Sequence, residues 1–291
     1  MNASPRLLFL IPYFGRWPFW MPFFLRGCGG NPDIDWLFFT DCGVPEQAPA
    51  NVRFETLAFD AYCEHVSDRL GIAFTPDSPY KLCDLKPTLG YIHADRLASY
   101  DYWGFSDIDL IYGDLRGYLS ALQLQRYELV STHVRRVSGH LCMMRNSARM
   151  REAFMQVDGW REALASPTHN AFDEAAFSRL FVRYKNRPAA LRWLLDRLNP
   201  WRRQSLFQEA FSTPGGRIPW HDGSFDFPSK WIWREGVLTN DRDGDRSFPY
   251  FHFIAWKCDR WPAHAEPVLC GPAGLAERAS WCVTAEGFRE E

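Results

Sequence analysis

The chain has 291 residues, of which 46% are hydrophobic and 16% aromatic, and its formal net charge is -2. This length and composition are enough to bury a large core, so we expect a soluble globular protein with one elaborated domain. The sequence pI near 6.5 lacks the basic excess of nucleic-acid-binding proteins, and no nucleic-acid partner is predicted.

The cysteines and the first apolar segment bear on the compartment. None of the eight cysteines forms a Cys-x-x-Cys pair or has a histidine at zinc spacing, which favours reduced thiols in a cytosolic protein. The segment LLFLIPYFGRWPFWMPFFL is long enough to cross a bilayer, but Arg16, Gly15 and three prolines interrupt it. We therefore expect neither a membrane anchor nor a signal peptide, and predict a cytoplasmic location.

Apolar runs bounded by turn residues predict a parallel sheet in the first half of the chain. The runs RLLFLIP at 6–12 and DWLFFT at 35–40 suit strands buried on both faces. A short helix at 16–26 connects them as a βαβ unit, with Pro18 in its first turn. A helix is also predicted at 59–70, and further strands at 52–56, 103–111, 128–132 and 141–145. These alternations predict an α/β fold with a single, mostly parallel, doubly wound sheet flanked by helices.

The second half of the chain has a different texture. Helices are predicted at 148–165 and over FDEAAFSRLFVRY at 172–184, and the stretch 214–233 is rich in Gly, Pro and Trp. No internal repeat or low-complexity tract marks a boundary. We therefore treat the chain as one domain with a Trp- and Pro-rich C-terminal region.

Two aspartates lie where the strand in SDIDLIYGDL is expected to end. Asp107 and Asp109 are two residues apart, so both side chains point to one side while Ile108 stays in the core. Ligands of open α/β sheets bind beyond the carboxyl ends of the strands, and paired carboxylates suit Mg²⁺ or Mn²⁺ together with phosphate oxygens. The alternative is that both acids cap the Gly113 turn or pair with Arg116. The Asp-x-Asp pattern alone leaves both interpretations open.

A wider resemblance is carried by the opening strand with its Pro-Tyr-Phe-Gly turn and by four segments: PYKLCDLKP, DYWGFSDIDLIYGDL, SGHLCMMRN and YFHFIAWK. Together they resemble a poorly characterised bacterial family of GT-A-like glycosyltransferases associated with surface-polysaccharide synthesis. The resemblance implies transfer of a sugar from a nucleoside-diphosphate sugar, with Mn²⁺ or Mg²⁺, to a hydroxyl of a glycan or polyprenol-linked glycan. It also implies one GT-A-like domain over 1–291, with a nucleotide-sugar-binding half at 1–135 and an acceptor-binding half at 136–291.

The resemblance assigns a set of residues to the donor. They are Pro12, Tyr13, Phe14, Asp41, Lys81, Asp84, Lys86, Asp107, His140 and Lys257. The turn at 12–15 would receive the nucleotide, with Asp41 near the base or ribose. Lys81 and Lys86 would meet phosphate, and Asp84 would orient one of them. A turn aspartate at position 41 and solvated lysines on a helix face are the alternatives.

Histidines and acids complete the implied site. His252 as a metal ligand and Lys257 as a diphosphate contact resemble the C-terminal pair of glycogenin-like retaining transferases, which favours retention over inversion. His140 would border the donor sugar and the acceptor. Asp173 and Glu174 are the catalytic candidates, and in an inverting enzyme one of them would be the general base. The alternatives are buried structural histidines and acids that only start a helix.

The stretch PAALRWLLDRLNPWRRQSLF alternates basic and apolar residues. It fits an interfacial helix on anionic lipid, which suits a polyprenol-linked acceptor and peripheral contact with the inner face of the membrane. A helix packed on the core with its arginines in water is the favoured interpretation. Two interpretations also apply to Trp220, Trp231 and Trp233: platforms on which a sugar stacks, or residues of the core.

Two other functions fit the same residues. A nucleotidyltransferase or phosphotransferase on a similar sheet would also use paired aspartates with a metal. It would release pyrophosphate instead of a nucleoside diphosphate. A non-catalytic carbohydrate-binding relative would keep the fold and bind glycan without turning over a donor.

Overall fold

The computed structural model describes residues 4–122, 124–184, 186–210, 219–261 and 266–291. The strands of its central sheet are β1 (Leu7–Pro12), β2 (Ile34–Thr40), β3 (Val52–Thr56), β4 (Tyr102–Ser106), β6 (Leu129–Ser131), β7 (Leu141–Arg145) and β8 (Ser205–Phe207). They are arranged in the order β3-β2-β1-β4-β7-β6-β8. A separate two-stranded pair joins β5 (Leu110–Tyr112) to β11 (Tyr250–His252).

The first half of this sheet is parallel, and its strand β1 is buried on both faces. β1 pairs in parallel with β2 and β4, and β2 with β3. Leu8 and Leu10 of β1 belong to one apolar core, whereas Leu7, Phe9 and Ile11 belong to a second core on the opposite face. β7 is antiparallel to both β4 and β6, and β8 runs parallel to β6. The predicted α/β fold class, with a mostly parallel sheet flanked by helices, is confirmed.

Eleven helices are found in the described residues. They are α1 (Met21–Gly29), α2 (Phe59–Leu70), α3 (Leu89–Ile92), α4 (Leu115–Ala121), α5 (Ala148–Arg151), α6 (Trp160–Ala165), α7 (Ser178–Phe181), α8 (Ala189–Leu198), α9 (Pro200–Arg203), α10 (Ile254–Asp259) and α11 (Glu266–Leu269). α2 has the predicted bounds and ends at Gly71, whose φ of 64° is left-handed and stops a helix. α1 begins later than predicted, because Pro22 and not Pro18 takes the first turn. None of the described helices is both long and apolar enough to cross a bilayer.

Three predicted elements are interrupted. The strand at 103–111 splits into β4 and β5. The helix at 148–165 splits into α5, a 3₁₀ turn at Ala153–Gln156 and α6, and Gly159 before α6 has a left-handed φ of 71°. The helix at 172–184 begins as a π-helical turn, Phe172–Phe177. Turns of this kind often mark functional sites.

The C-terminal region forms a second sheet, which corrects the expectation of a single one. Its strands are β9 (Lys230–Arg234), β10 (Val237–Asn240), β12 (Ser280–Thr284) and β13 (Gly287–Arg289), in the antiparallel order β10-β9-β12-β13. Trp220, Trp231 and Trp233 are buried in one aromatic cluster, and the last two lie on β9 of this sheet. They are core residues, so the sugar-platform interpretation is wrong. All eight cysteines are free thiols.

Candidate functional site

Strand pairing brings His252 to the two aspartates. β4 ends at Ser106, and the segment holding Asp107 and Asp109 links it to β5. β5 pairs antiparallel with β11, which places His252 opposite Leu110. The histidine therefore lies beside Asp109, although the two are far apart in sequence.

Asp107, Asp109 and His252 form a group suited to a metal ion. One possible ligand atom from each lies within 4.8 Å of the others, and no second group of this kind occurs in the described residues. His252 is buried, and Nε2 of its ring lies 3.4 Å from Oδ1 of Asp109, but neither ring nitrogen makes a well-formed hydrogen bond. Such an arrangement is costly unless something binds the ring. Two carboxylates and an imidazole suit Mn²⁺ better than Mg²⁺.

Asp107 and Asp109 neither cap the Gly113 turn nor pair with Arg116 in the structure. The amide of Gly113 donates to the carbonyl of Pro249 at 3.0 Å. Arg116 donates to the carbonyls of Pro5 and Asp33. The acid that caps α4 is Asp114, which accepts from the amide of Gly117 at 2.7 Å. Turn capping and an Arg116 pair therefore do not explain Asp107 and Asp109.

Two lysines from separate segments meet the aspartates. Nζ of Lys86 donates to Oδ1 of Asp107, and Nζ of Lys257 on α10 donates to Oδ2 of Asp109, both at 2.5 Å. Burial lowers the pKa of each lysine, but the acidic groups around it, chiefly the aspartate it contacts, together outweigh burial and raise that pKa. Burial also raises the pKa of Asp109, yet His252 and Lys257 hold it well below its usual range. Asp109 and the two lysines are therefore charged at neutral pH.

His140 lies next to Asp107 because β7 runs antiparallel to β4. The amide of Asp107 donates to the carbonyl of His140 at 2.9 Å. The rings of His140 and His252 stack with centroids 4.4 Å apart, and Nε2 of His140 is 2.8 Å from the hydroxyl of Tyr250. Burial and the nearby His252 hold the pKa of His140 well below its ordinary value. The ring is therefore neutral at pH 7.

Asp173 and Glu174 begin the π-helical turn and approach Gly139. A Cβ at position 139 would lie 2.8 Å from Oδ2 of Asp173 and 3.0 Å from Oε1 of Glu174, so glycine permits the approach. Glu174 accepts from the Gly139 amide at 3.1 Å and lies 3.2 Å from Nη1 of Arg136. Asp173 is only 3% exposed, and burial raises its pKa from 3.8 to about 6. A carboxyl group with this pKa can exchange a proton near neutral pH.

The predicted nucleotide turn lies on a cavity that Asp107, Asp109 and His252 also line. Pro12, Tyr13 and Phe14 contribute to its wall. Gly15 follows with a left-handed φ of 108°, and its amide donates to Oδ1 of Asp41 at 2.7 Å. Asp41 therefore fixes the turn from outside the cavity wall. Its contact with a base or ribose stays a prediction.

Lys81 and Asp84 point away from the cavity, which corrects the expectation that they serve phosphate. Nζ of Lys81 donates to Asp84 at 2.8 Å and to the carbonyls of Ala163 and Thr168 at 2.9 and 3.0 Å. These bonds use all three ammonium hydrogens. Asp84 also accepts from the amide of Phe172 at 2.7 Å. The buried pair therefore holds the loop that leads into Asp173.

The cavity has a volume of about 650 Å³, and its wall holds the candidate site residues Pro12, Tyr13, Phe14, Lys86, Asp107, Asp109, His140, Asp173, Glu174, His252 and Lys257. Its wall includes Arg136 and His169, which sequence reasoning missed. Arg136 lies three residues before Gly139 and pairs with Glu174, so its nearness to SGH was an available signal. His169 lies 3.1 Å from Asp84 through Nδ1, and nothing in its neighbourhood in sequence marks it.

We expect His252→Ala to weaken Mn²⁺ binding by about tenfold or more when a nucleoside diphosphate is present. The substitution removes a buried imidazole whose nitrogens make no other hydrogen bond. Calorimetric titration of Mn²⁺ into both proteins measures the change. His221→Ala, at an exposed histidine outside the cavity wall, is the matched control. Unchanged affinity in His252→Ala would assign this histidine to the core.

Comparison with known proteins finds one family and distant structures. The model of DUF6625, described as a family of unknown function, matches residues 9–266. A search of curated proteins finds no significant match. The galactosyltransferase LgtC, solved with donor and acceptor sugar analogues, is 10% identical with a TM-score of 0.40, over 90% of this chain and 95% of LgtC.

Two further structures are similar at the same low level. Mouse xyloside xylosyltransferase 1, in its apo form, is 8% identical with a TM-score of 0.39, over 72% of this chain and 87% of the mouse chain. The glycosyltransferase GlyE of Streptococcus pneumoniae TIGR4 is 11% identical with a TM-score of 0.32. The match covers 72% of this chain but only 46% of GlyE. The model of DUF6625 spans most of the length of the present chain, which therefore belongs to that family.

Proposed function

We propose that the protein is a metal-dependent glycosyltransferase that moves a sugar from a nucleoside-diphosphate sugar to a hydroxyl of a glycan or lipid-linked glycan. The observation that carries this proposal is the group Asp107, Asp109 and His252, with Lys86 and Lys257 in the same cavity. Oxygen and imidazole ligands serve a divalent metal, and ammonium groups serve phosphate. The resemblance of four segments to GT-A-like transferases of surface-polysaccharide synthesis supports the same function.

In this proposal the chain holds the diphosphate from two sides. Asp107, Asp109 and His252 would hold Mn²⁺ or Mg²⁺, which when bound neutralises charge that builds up on the leaving diphosphate. Lys86 and Lys257 would turn from the carboxylates to the diphosphate oxygens, because an ammonium group binds either kind of oxygen.

The two halves of the chain would divide the substrates. Residues 1–135 would bind the donor, with the turn at 12–15 against the nucleotide and Asp41 beside the base or ribose. Residues 136–291 would bind the acceptor and would also contribute His140, His252 and Lys257 to the donor side. The neutral His140 would hydrogen-bond a hydroxyl of the donor sugar. Asp173 would accept a hydrogen bond from the acceptor hydroxyl, while Glu174 stays anchored to Arg136.

Retention of the anomeric configuration is part of the proposal. It is supported by the resemblance of His252 and Lys257 to the C-terminal pair of glycogenin-like retaining transferases. Proton NMR of the first product formed tests it. An inverted product would instead assign Asp173 as the general base, a role that its pKa of about 6 suits.

The proposed setting is the cytoplasm, at the inner face of the membrane. Eight free thiols fit a reducing compartment. A polyprenol-linked acceptor is held in a bilayer, so an enzyme that extends it works at the membrane surface.

We expect nucleoside diphosphates to stabilise the protein only when Mn²⁺ or Mg²⁺ is present. A ligand that binds the folded state raises its free energy of unfolding by about 1.4 kcal/mol when its free concentration is tenfold above its dissociation constant. The two aspartates would repel a diphosphate unless a cation lies between them. Thermal melts with a panel of nucleoside diphosphates and their sugars measure the effect. Equal stabilisation in EDTA would contradict the proposal.

The reaction products separate the proposal from its rivals. Release of a nucleoside diphosphate from the stabilising donor, in the presence of a glycan acceptor, supports glycosyl transfer. Release of pyrophosphate would identify a nucleotidyltransferase. Glycan binding with no turnover of any donor would identify a carbohydrate-binding protein that keeps the fold.

A further inference from the structure

Helix α8 lies on the surface with its apolar residues uncovered. None of its residues is buried. Of the ten exposed large apolar side chains among the described residues, four belong to this helix: Leu191, Trp193, Leu194 and Leu198. Leu198 is 73% exposed and Trp193 is 57% exposed. The expectation that this helix packs on the core is therefore wrong.

The core beneath is covered by the next helix, α9, which explains why α8 stays outside. Trp201 packs against the buried Phe181 with ring centroids 5.8 Å apart, and the guanidinium of Arg202 lies 4.5 Å from the ring of Phe207. Nδ2 of Asn199 donates to the carbonyl of Leu180 at 2.8 Å. The C-terminal end of α8 is thus tied to α7. Because α9 covers the described core at this place, no apolar surface of that core is left for α8 to pack on.

Three of the four exposed apolar residues of α8 form one stripe with arginines on both sides. Trp193 lies away from the stripe, with the guanidinium of Arg197 4.0 Å from its ring. Leu191, Leu194 and Leu198 follow the i, i+3, i+7 spacing of a single helix face. Each residue turns the helix by about 100°, so Arg192 and Arg197 lie about 100° and 120° from Leu191, on opposite flanks. This is the side-chain pattern of a helix that lies in an interface.

The surroundings of α8 are strongly basic. Residues 187–203 contain five arginines and one aspartate, and five minus one gives a net charge of +4, against -2 for the whole chain. The aspartate, Asp196, lies 3.9 Å from Nε of Arg202. The positive charge of this surface is therefore a local feature that a negatively charged partner would complement.

A ten-residue helix without buried contacts also needs a partner for its own stability. Isolated helices shorter than about 12–15 residues are marginal in water, because the first turn is costly to form. α8 has ten residues and none of them is buried. The helix therefore gains stability when an apolar phase covers the stripe.

We propose that α8 and its flanking arginines dock on the surface of an anionic phospholipid bilayer. Leu191, Leu194 and Leu198 would enter the boundary between head groups and acyl chains, and the arginines would contact lipid phosphates. α7, to which Asn199 is tied, continues directly from the π-helical turn that carries Asp173. Docking would therefore hold the acceptor side of the proposed site at the membrane.

Flotation of the full chain with phospholipid vesicles tests this surface. We expect binding to vesicles of phosphatidylcholine with phosphatidylglycerol, weak binding to phosphatidylcholine alone, and a loss of binding as salt increases. Leu194→Glu with Leu198→Glu should lower the partition coefficient by at least about tenfold. Arg192→Gln with Arg197→Gln should lower it by about fivefold for each charge removed. Val44→Glu, at an exposed valine on another surface, should bind like the wild type.

Several outcomes would overturn the proposal. Equal binding to neutral vesicles, absence of binding, or binding that survives the double glutamate substitution would each do so. Light scattering that shows a dimer, dissociated by the same substitutions, with no vesicle binding would assign the stripe to a second copy of the chain. Because the vesicles contain no donor or acceptor, the result is independent of the sugar-transfer assay and distinguishes failure of this surface from failure of the proposed reaction.

Discussion

We expect Asp109→Asn to lower sugar transfer by at least about a hundredfold, the scale observed when a key electrostatic group is removed from an active site. The amide keeps the shape of the side chain but removes the negative charge. Asp109 is buried, with His252 and Lys257 both within 3.4 Å of its carboxylate oxygens. The substitution therefore removes the negative charge that serves both the metal group and Lys257.

The control must separate chemistry from folding. Asp68→Asn changes an exposed aspartate on α2 by the same atoms, and should transfer sugar like the wild type. Circular dichroism of Asp109→Asn should show native secondary structure. If a folded Asp109→Asn protein kept near wild-type turnover, Asp109 would return to a purely structural role and the proposed metal site would lose its central ligand.

The sequence predicted the parts of the fold that depend on local pattern. The apolar runs of β1 and β2 are short, continuous and bounded by turn residues, and a strand buried on both faces requires this composition. Asp107 and Asp109 were identified because they follow such a strand, where parallel sheets bind ligands. Their break between β4 and β5 was missed, since the residues after them are as apolar as those before.

Local sequence pattern does not predict the pairing of strands that are far apart in the chain. His252 reaches Asp109 only because β11 pairs with β5, and no spacing in the sequence predicts that pairing. The resemblance of YFHFIAWK to the C-terminal segment of glycogenin-like transferases implied His252 as a metal ligand, but it did not predict this pairing. The functional roles of His252 and of the other site residues stay predictions that the experiments above test.

Lys81 and Lys86 show a second limit. Both lie in the 3₁₀ segment Pro79–Thr88, five residues apart, and both carry the same charge. With about three residues per turn their side chains leave the helix in different directions. Only tertiary packing decides that Lys86 meets Asp107 while Lys81 is buried against Asp84. Helix α8 was misassigned for the same reason, since an apolar stripe does not reveal what covers it.

We expect Asp173→Asn to reduce turnover by at least about tenfold, because the acceptor hydroxyl loses a hydrogen bond to a charged group, and, at the same time, to stabilise the fold above neutral pH. Burial raises the pKa of Asp173 from 3.8 to about 6, so ionising it in the folded protein is unfavourable. The folded state is favoured by the protonated group below the unfolded pKa, and this contribution is lost as pH rises through 6. An asparagine carries no charge and avoids the loss.

The size and the pH dependence of this gain follow from the shift. About two pKa units correspond to about 3 kcal/mol of unfolding free energy at pH 8, and the difference between variant and wild type should vanish near pH 4. Urea unfolding in EDTA across this range measures it. Glu174→Gln, which weakens the pair with Arg136, is the matched control and should show no such gain.

The sign of the effect separates a reacting acid from a helix-starting one. Removal of a helix cap costs roughly 0.5–2 kcal/mol of stability and leaves the chemistry intact. If Asp173→Asn and Glu174→Gln both transferred sugar normally and only melted at lower temperature, neither acid would be catalytic. The opposite result is an Asp173→Asn variant that loses turnover and becomes more stable than the wild type as the pH rises. It would show that the wild-type fold tolerates an unfavourable buried charge at Asp173, as expected of a group kept for the reaction.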